Sequence, residues 1–227
     1  AELLDSGLQT QHSQLRGQLT IELPVALAYC LIMPRLTEFT ARYPDIQVII
    51  NTANRTADLA GERIDCVIRI GSLHNDSLIA RSLGTLPMVI CASPGYLQQY
   101  GTPQHPQDLA RRHQLIQVRS AQTRRMFEHT LHRDSESLNV RGQWQIAVND
   151  AQAALIAAKA GAGVVTTYQF LVAEAVSCQQ LVRLFTDWQI DPLPVHIAWP
   201  ENKSMPLRVR VFIDWVTELF TREPPAT

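Results

Sequence analysis

The chain has 227 residues, of which 46% are hydrophobic and 18% are charged. This composition can fill a sizeable core and excludes a disordered or low-complexity chain. Lysine and arginine together number 20 against 21 for aspartate and glutamate, so the net charge at pH 7 is -1. Nucleic-acid binding normally requires a basic face. We therefore expect this chain to make no direct contact with DNA.

Nothing in the sequence predicts export or membrane insertion. No apolar run approaches the roughly 20 residues that a membrane-spanning helix needs, and the polar start at residues 1–16 does not resemble an export signal. The cysteines Cys30, Cys66, Cys91 and Cys178 form no CxxC pair, and the first three lie in apolar segments. We expect a cytoplasmic chain with reduced cysteines, those three behaving as small hydrophobic residues.

The first half of the chain alternates predicted strands and helices. Hydrophobic periodicity predicts strands over residues 18–23, 46–50 and 65–70, and helices over 25–43 and 56–61. Pro34 is expected to kink or loosen the longer helix, because proline lacks the N–H that the helix needs. Two extended segments, 78–83 and 87–92, follow on either side of Gly84. This alternation predicts a parallel sheet flanked by helices.

The second half repeats the alternation. The patterns predict strands or extended segments over 114–118, 140–148, 164–167, 181–185 and 195–199, and helices over 151–159 and 168–178. Ser204 is expected to cap a last helix, whose apolar stripe is Leu207, Val211, Trp215 and Leu219. Residues 119–137 show no clean period. We predict two α/β units, with the last helix returning to the first, and a ligand cleft at the carboxyl ends of the strands.

Motifs that would indicate an enzyme are missing from the sequence. It contains no GxSxG nucleophile elbow, no HExxH zinc motif and no GxxxxGK[ST] phosphate loop. Gly161-Ala162-Gly163 follows a predicted helix and precedes a strand, which is typical of a helix-ending turn and not of a dinucleotide-binding turn. His129 and His132 are better explained by a solvated loop than by a metal pair. We predict no catalytic residue, no metal site and no cofactor.

Two predicted helix starts are suited to binding a small anion. One lies at Val25 to Leu27, and the other at Asn149-Asp150-Ala151. Unpaired N–H groups and a partial positive charge at a helix N-terminus attract carboxylates. The alternative for the second start is that Asn149 or Asp150 only caps its helix, and the two roles are compatible.

Arg69 is a further candidate contact. It lies on the otherwise apolar strand predicted over 65–70, just before Gly71. A guanidinium at this position either binds an anionic ligand or forms a structural ion pair with Asp65 or Asp58. The sequence leaves both roles open.

Five segments, taken together, resemble a known family. They are LIMPRLTEFTARYPDIQVII (31–50), ADLAGERIDCVIRIGSLHNDSLIARSLG (57–84), VICASPGYLQQYGTPQHPQDLA (89–110), VNDAQAALIAAKAGAGVV (148–165) and LRVRVFIDWVTELF (207–220). In this order they resemble the effector-binding domain of LysR-type transcriptional regulators over nearly all of residues 17–222. The polar start resembles the end of that family's linker helix. The resemblance implies that the winged helix-turn-helix through which the family binds DNA lies outside this chain.

The resemblance also implies a fold and a binding site. The fold is α/β and type 2 periplasmic-binding-protein-like, with two Rossmann-like subdomains joined by crossover strands. We place the end of the linker at 1–16, subdomain I at 17–86 plus 201–222, subdomain II at 87–200 and a tail at 223–227. In the family, small effectors, often organic acids, bind in the interdomain cleft. Carried over, and with Arg69 added from the analysis above, the contacts are Val25, Ala26, Leu27, Ala28, Thr52, Arg69, Asn149, Asp150, Ala151, Val165 and Thr166.

One departure from the family affects the expected ligand. Many relatives carry Ser or Thr in the turn where this chain has Pro24-Val25-Ala26-Leu27-Ala28. Without a hydroxyl there, a carboxylate would depend on backbone N–H groups and on Thr52. Otherwise, the ligand would be less polar or would bind chiefly to subdomain II.

The mechanism implied by the resemblance is a population shift. An effector favours one hinge angle and so repositions neighbouring subunits and their DNA-binding domains. The family's assembly implies a homodimer or homotetramer in which Leu31 to Phe39 and Ala151 to Lys159 are partly buried between chains. Two other classes stay open: an extracytoplasmic solute-binding protein of this fold, which needs an export signal before Ala1, and an enzyme, which needs reactive side chains converging in the cleft.

Overall fold

The computed structural model describes residues 15–54, 58–73, 77–121, 123–201 and 204–225. These residues divide into two compact units. Unit 1 contains residues 15–53, 58–84 and 194–224, and unit 2 contains residues 85–193 together with Asn54 and Pro225. The chain therefore enters unit 2 after Gly84 and returns to unit 1 at Pro194.

The strands, in chain order, are β1 (Gly17–Leu23), β2 (Ile46–Thr52), β3 (Cys66–Ile70), β4 (Leu78–Leu86), β5 (Met88–Ala92), β6 (Gln114–Val118), β7 (Thr130–Arg133), β8 (Glu136–Asn139), β9 (Gln143–Val148), β10 (Val164–Tyr168), β11 (Val182–Leu184), β12 (Gln189–Ile190) and β13 (Leu193–Pro200). The helices are α1 (25–42), α2 (Pro94–Tyr100), α3 (Leu109–Arg112), α4 (Ala151–Lys159), α5 (Gln169–Ser177) and α6 (Leu207–Arg222), with a 3₁₀ turn at Pro106–Asp108. No helix within the described ranges is both long enough and apolar enough to cross a membrane.

Unit 1 is built on a five-stranded sheet with the order β2-β1-β3-β13-β4. β1 pairs in parallel with β2 and β3, whereas β13 runs antiparallel to β3. The predicted parallel sheet is thus confirmed for its first three strands. The last helix packs on this unit as predicted, since Phe39 of α1 lies 5.4 Å from Phe212 and 5.6 Å from Trp215, measured between ring centroids.

Pro34 loosens α1 as predicted. The helix consists of an α turn at Val25–Leu27, a π-helical turn at Ala28–Ile32 and a regular α-helix at Met33–Arg42. Proline offers no N–H to the preceding turn, and its ring clashes with the carbonyl four residues back. The wider π turn immediately before it accommodates both effects.

Three boundaries differ from the prediction. β4 runs through Gly84, which adopts φ +122, and the strand ends at Leu86, because the next residue, Pro87, has no N–H for a sheet. The N-cap of α6 is Pro206 and not Ser204, because an N-cap residue needs no N–H donor and Pro206 O accepts from Val209 N (3.0 Å). The helix predicted over 56–61 is wrong where it is described: residues 58–61 form a turn, and residues 55–57 lie outside the described ranges.

Unit 2 is built on a second five-stranded sheet, with the order β11-β5-β10-β6-β9. β10, β6 and β9 are parallel neighbours, and β5 runs antiparallel to β10. Val164 packs with Leu115, Leu131 and Trp188 in one core cluster, and the next residue, Val165, belongs to another. The sheet is therefore buried on both faces, as expected for a largely parallel sheet.

The segment without a predicted period forms a third, small sheet with the order β12-β7-β8. His132 lies in β7, with Nε2 2.8 Å from Asp191 Oδ1 and Nδ1 3.2 Å from Ser137 Oγ. His129 lies just before β7, and its Nδ1 is buried. The predicted solvated loop for the two histidines is therefore wrong, because hairpin pairing orders this segment.

The cysteines are all free thiols, but not all are buried. Cys66 and Cys91 are buried, and burial raises the pKa of the Cys91 thiol to about 12 and that of Cys66 further. They behave as small hydrophobic residues, as predicted. The prediction is wrong for Cys30, which is exposed because it lies on the outer side of the π turn in α1.

Candidate functional site

The first candidate site lies where β1 and β2 of unit 1 end. Leu23 and Thr52, the last residues of the two strands, are in register. Pro24 then leads into α1 and caps it with no side-chain hydrogen bond, while its carbonyl accepts from Ala28 N (3.0 Å). The helix start at Val25–Leu27 thus presents its first N–H groups without a side-chain cap.

The structure brings the predicted unit 1 residues together at this edge. Ala26, Leu27 and Ala28 have buried side chains, so they can offer a ligand only their backbone. Thr52 is exposed and supplies a hydroxyl from the adjacent strand end. An uncapped helix start beside one hydroxyl is an arrangement suited to a carboxylate.

Arg69 lies on β3, the other neighbour of β1, and its guanidinium is already paired. Its Nη2 is 3.3 Å from Glu22 Oε1, and the two residues are 8% and 0% exposed. The predicted partners are wrong: Asp65 Oδ2 accepts from Thr20 N (2.8 Å), and Asp58 Oδ1 accepts from Gly61 N (3.1 Å).

Sheet register explains the partner of Arg69. β1 and β3 are neighbours, with Glu22 opposite Val67, and side chains two residues apart on a strand share a face. Glu22 was missed by the sequence analysis, although a charged residue between Ile21 and Leu23 in an inner strand is a signal that could have identified it. A buried carboxylate needs a nearby positive charge, and Arg69 supplies it.

The second candidate site lies at the start of α4 in unit 2. Asp150 Oδ1 accepts a hydrogen bond from Gln152 N (3.0 Å), so Asp150 is the helix cap. Asn149 is exposed, and its carbonyl accepts from Asn54 Nδ2 (3.1 Å). A carboxylate therefore already occupies this helix start, and its negative charge opposes the binding of another anion there.

A small cavity adjoins this part of unit 2, between β6 and β10. The two strands pair only at Val164–Leu115 and Val165–Ile116, and no further pairing between them is seen within the described residues. Beyond this point a cavity of about 20 Å³ is lined by Thr166 and His129, together with Leu115, Ile116, Gln117, Val118, Phe127, Val140 and Val164. The predicted contact Thr166 thus faces a cavity, while Val165 belongs to the core.

His129, like Glu22, was not identified as a site residue by the sequence analysis. Its Nδ1 is buried and has no hydrogen-bond partner within the described part of the chain. Burial lowers the pKa of the imidazole to about 4, so the ring is neutral at pH 7. No sequence signal marks this residue, because the turn that buries it has no periodic pattern.

The two edges therefore have different chemistry. In unit 1 the site offers the uncapped N–H groups of α1 and the Thr52 hydroxyl, and the nearby Glu22 carboxylate is paired with Arg69. In unit 2 the site offers uncharged polar groups beside the Asp150 carboxylate, which caps α4. Across the described ranges, no cluster of three or more His, Cys, Asp or Glu side chains could hold a metal ion. A larger groove in unit 2, of about 520 Å³ and lined by Ser93, Gln99 and Lys159 among others, includes none of the predicted contacts.

Comparisons with known proteins agree with this fold. The family described as the LysR substrate binding domain matches residues 12–221. The HTH-type transcriptional regulator YhjC of Escherichia coli is 33% identical over 218 residues, which are 94% of this chain and 71% of that protein. An HTH-type transcriptional repressor of Pseudomonas aeruginosa is 34% identical over 208 residues, 92% of this chain and 65% of the repressor.

Among solved structures, the full-length virulence activator AphB of Vibrio cholerae, a member of the LTTR family, matches with a TM-score of 0.75 and 25% identity, covering 96% of this chain and 74% of that protein. These relatives are described as transcriptional regulators and not as enzymes or transport proteins. The fold is accordingly the two-subdomain, periplasmic-binding-protein-like fold of LysR regulatory domains. The chain belongs to the LysR substrate-binding-domain family of LysR-type transcriptional regulators.

Proposed function

We propose that this domain binds a small organic acid and transmits its binding to a DNA-binding domain outside this chain. The observation that supports the proposal most directly is the uncapped start of α1 beside Thr52. In unit 1 the effector carboxylate binds the N–H groups of Val25 and Ala26 and the Thr52 hydroxyl. In unit 2 the proposed contacts are Asn149 and Thr166.

Charge decides which edge receives the carboxylate. In unit 1 the Glu22 charge is compensated by Arg69 at 3.3 Å, so the helix dipole attracts an anion. In unit 2 the Asp150 carboxylate already accepts from Gln152 N, so a second anion would be repelled. The same reasoning gives Arg69 a supporting role, in which it balances the negative charge of Glu22.

The effector then acts by differential affinity for two states of the domain. A difference of about 1–3 kcal/mol in binding free energy shifts the equilibrium by about 5- to 150-fold. That shift is enough to change the placement of DNA-binding domains in an oligomer.

A thermal-shift screen of the chain against small organic acids tests the proposal. Binding to the folded state alone stabilises it by about 2.7 kcal/mol at a hundredfold excess over Kd. We expect Thr52→Val to weaken a hit about tenfold, whereas Thr40→Val, the same change at an exposed position in α1, leaves the affinity unchanged. Stabilisation by no acid, or equal affinity in both variants, would contradict the proposal.

Asn149 provides an independent test in unit 2. We expect Asn149→Ala to weaken any hit without unfolding the domain, because its side chain is exposed and Asp150 does the capping. Gln145→Ala, an exposed position on β9, is the matched control. Unchanged affinity in Asn149→Ala would remove this residue from the site.

We also propose that the domain self-associates, as a dimer or as part of a tetramer. Two groups of exposed apolar side chains support this: Tyr29 (58% exposed) and Met33 (47%) on α1, and Ile156 (67%) on α4 with Trp144 (48%) on β9. Within the segment Leu31 to Phe39, which the family's assembly implies to be partly buried between chains, Leu31 and Phe39 belong to the core of unit 1, whereas Met33 is exposed.

Sedimentation velocity tests the self-association. We expect Ile156→Glu to shift the chain toward the monomer, because the charge would be buried at the interface. Ile79→Glu, at a 42%-exposed position on β4, should leave the sedimentation coefficient unchanged. Identical behaviour of the two variants would exclude α4 from the interface.

A further inference from the structure

We propose that the Tyr96 hydroxyl, Nδ1 of His113 and the N–H of Gln114 form a proton-sensitive latch: neutral His113 holds α2 against β6, and protonation of His113 releases α2. This inference concerns unit 2 alone, and it depends neither on the proposed effector nor on the two helix starts. The ligand of the latch is a proton. The sequence analysis identified none of these three residues.

One hydroxyl group makes both hydrogen bonds of the latch. Tyr96 lies on α2, and its Oη is 2.9 Å from Nδ1 of His113, which lies between α3 and β6. Gln114, the first residue of β6, donates its main-chain N–H to the same Oη at 3.0 Å. Tyr96 and His113 are 2% and 5% exposed. The hydroxyl therefore ties α2 to the start of β6 in a place that is largely shielded from water.

The donors and acceptors present determine where the protons are. The N–H of Gln114 can only donate, so Tyr96 Oη accepts that bond and has its own proton left to donate. Burial raises the pKa of Tyr96, so the hydroxyl keeps this proton at neutral pH. Nδ1 of His113 is the acceptor within reach in the described part of the chain. The imidazole is therefore neutral in the closed latch, with its proton on Nε2.

Protonation of His113 opposes this arrangement. It turns Nδ1 from an acceptor into a donor, so the Tyr96 oxygen would face two N–H donors while its own buried proton would lose its acceptor. Burial also disfavours the charged ring and lowers the pKa of His113 below its ordinary value of 6.5. Release of α2 from β6 relieves both costs, because the ring and the hydroxyl then reach water.

Two charged side chains act on His113 from neighbouring elements, with opposite effects on its pKa. Asp108, in the 3₁₀ turn, favours the protonated ring, and Arg112, at the end of α3, disfavours it. From α2, Tyr96 faces the ring, and Tyr100 stacks on Tyr96 with ring centroids 4.7 Å apart. Since the two charges oppose each other, burial is the main influence on the protonation of His113.

Tyr96 connects the latch to the rest of unit 2. Its ring belongs to the core cluster that contains Leu109 and Leu115. Tyr96 also lines the groove of about 520 Å³, together with Ser93 and Lys159. A proton taken up by the latch therefore changes the packing of α2 and the wall of a groove that is large enough for a small molecule.

Amide hydrogen exchange, followed by NMR on the 227-residue chain, tests the latch. The bond to Tyr96 protects the Gln114 N–H, so exchange of this amide reports opening. The closed latch is most stable above pH 6.5. Between that value and the lowered pKa of His113, opening should increase about tenfold for each unit that the pH falls, because the open form binds one more proton. Phe127 N, bonded to Val118 O (2.9 Å) at the other end of β6, should keep its protection.

His113→Gln is the decisive variant, because a glutamine carbonyl can accept from Tyr96 and does not titrate. Compared with the wild type at each pH, exchange at Gln114 should lack the acid-induced increase. His132→Gln is the matched control: it removes an exposed histidine of the same unit that bonds to Asp191 (2.8 Å), and it should keep the increase.

Tyr96→Phe is the second variant if far-UV circular dichroism shows that His113→Gln does not fold. It keeps the aromatic ring and removes the hydroxyl, so the Gln114 N–H should already exchange faster at pH 7 and show no further acid-induced increase relative to Phe127.

Three results would overturn the latch. An acid-induced increase that persists in His113→Gln or in Tyr96→Phe would remove the role of the histidine. An equal increase at Gln114 and Phe127 would show that acid opens unit 2 as a whole. Protection of Gln114 that does not change between pH 7 and pH 5 in the wild type would exclude a proton-sensitive contact. Organic-acid binding is tested separately by the thermal-shift screen, so its failure leaves the latch unaffected.

Discussion

The helix starts of α1 and α4 occupy equivalent positions, each at the carboxyl edge of a parallel strand, yet their surroundings differ. α1 begins after Pro24 with no side-chain cap, and the buried pair of Glu22 and Arg69 lies in the sheet below it. α4 begins after Asp150, whose carboxylate caps it, and the neighbouring cavity contains neutral His129. The same topology therefore produces one helix start without a side-chain cap and one that already holds a carboxylate.

This difference shows that equivalent helix starts in two α/β units can have opposite local electrostatics. Topology sets where N–H groups and strand ends meet. Individual side chains then decide the sign of the local potential, because one capping carboxylate is enough to cancel the attraction of a helix N-terminus.

The largest expected effect comes from breaking the buried ion pair between Arg69 and Glu22 in unit 1. Arg69→Met should destabilise the fold by about 3–5 kcal/mol, because Glu22 stays buried without the Arg69 charge. The double variant Glu22→Gln with Arg69→Met should recover much of that loss. Urea unfolding at pH 7 measures both, and a cost below about 1 kcal/mol for Arg69→Met would show that the pair does not hold this edge together.

The next effect concerns the neutral histidine of unit 2. Burial lowers the pKa of His129 from 6.5 to about 4, so between these values the unfolded chain binds more protons than the folded chain. Its contribution is complete above pH 6.5 and is lost as the pH falls toward 4. The unfolding free energy should drop by about 2 kcal/mol more in the wild type than in His129→Leu between pH 7 and pH 5.

Comparing the two chains in this way cancels the contributions of other groups that titrate in the same range, such as His113, whose pKa burial also lowers. Parallel curves for the wild type and His129→Leu would mean that His129 is not desolvated in the folded state.

A smaller effect tests the cap of α4. Asp150→Ala should cost about 0.5–2 kcal/mol of stability, because the Gln152 N–H loses its acceptor. Asp150→Asn retains an acceptor and removes the charge, so it should keep most of the stability. Anion binding should then strengthen in Asp150→Asn, measured as the affinity for succinate. An unchanged affinity for succinate would show that the charge of Asp150 does not affect anion binding.

The smallest expected effect on stability concerns an exposed ion pair of unit 1, which serves as a comparison for the buried pair of Glu22 and Arg69. Arg81 Nη1 lies 3.2 Å from Asp214 Oδ1, with side chains 45% and 63% exposed. Solvent screens this pair, so Arg81→Met should change the unfolding free energy by about 1 kcal/mol or less. A cost equal to that of Arg69→Met would mean that burial is not what distinguishes the two pairs.

Much of the fold was predictable because it depends on local periodicity. The strand at 114–118, the helix at 151–159 and the turn at Gly161 all appear where the sequence places them. Errors arose where a local signal competes with pairing: Gly84 looks like a break, but β4 continues through it, and the break occurs at Pro87 instead. Ser204 looks like a cap, but the helix begins after Pro206.

The site was predictable only in part, for the same reason. Val25 and Thr52 lie at the same edge because the parallel strands β1 and β2 end there, with Leu23 in register with Thr52, which the strand order alone implies. The partner of Arg69 was not predictable, because Glu22 lies 47 positions away and reaches it only through sheet register. His129 was hidden as well, since a turn without periodicity gives no indication of what will be buried beneath it.

The sequence by itself determined the alternation of strands and helices, the near-neutral charge and the resemblance to LysR regulatory domains, because composition and periodicity are local properties. Only the tertiary structure decided which charges are paired, which helix starts lack a side-chain cap and how deeply His129 is buried. Those properties depend on the distances between residues far apart in the chain and on the exclusion of solvent by packing. No short segment of the sequence determines either of these.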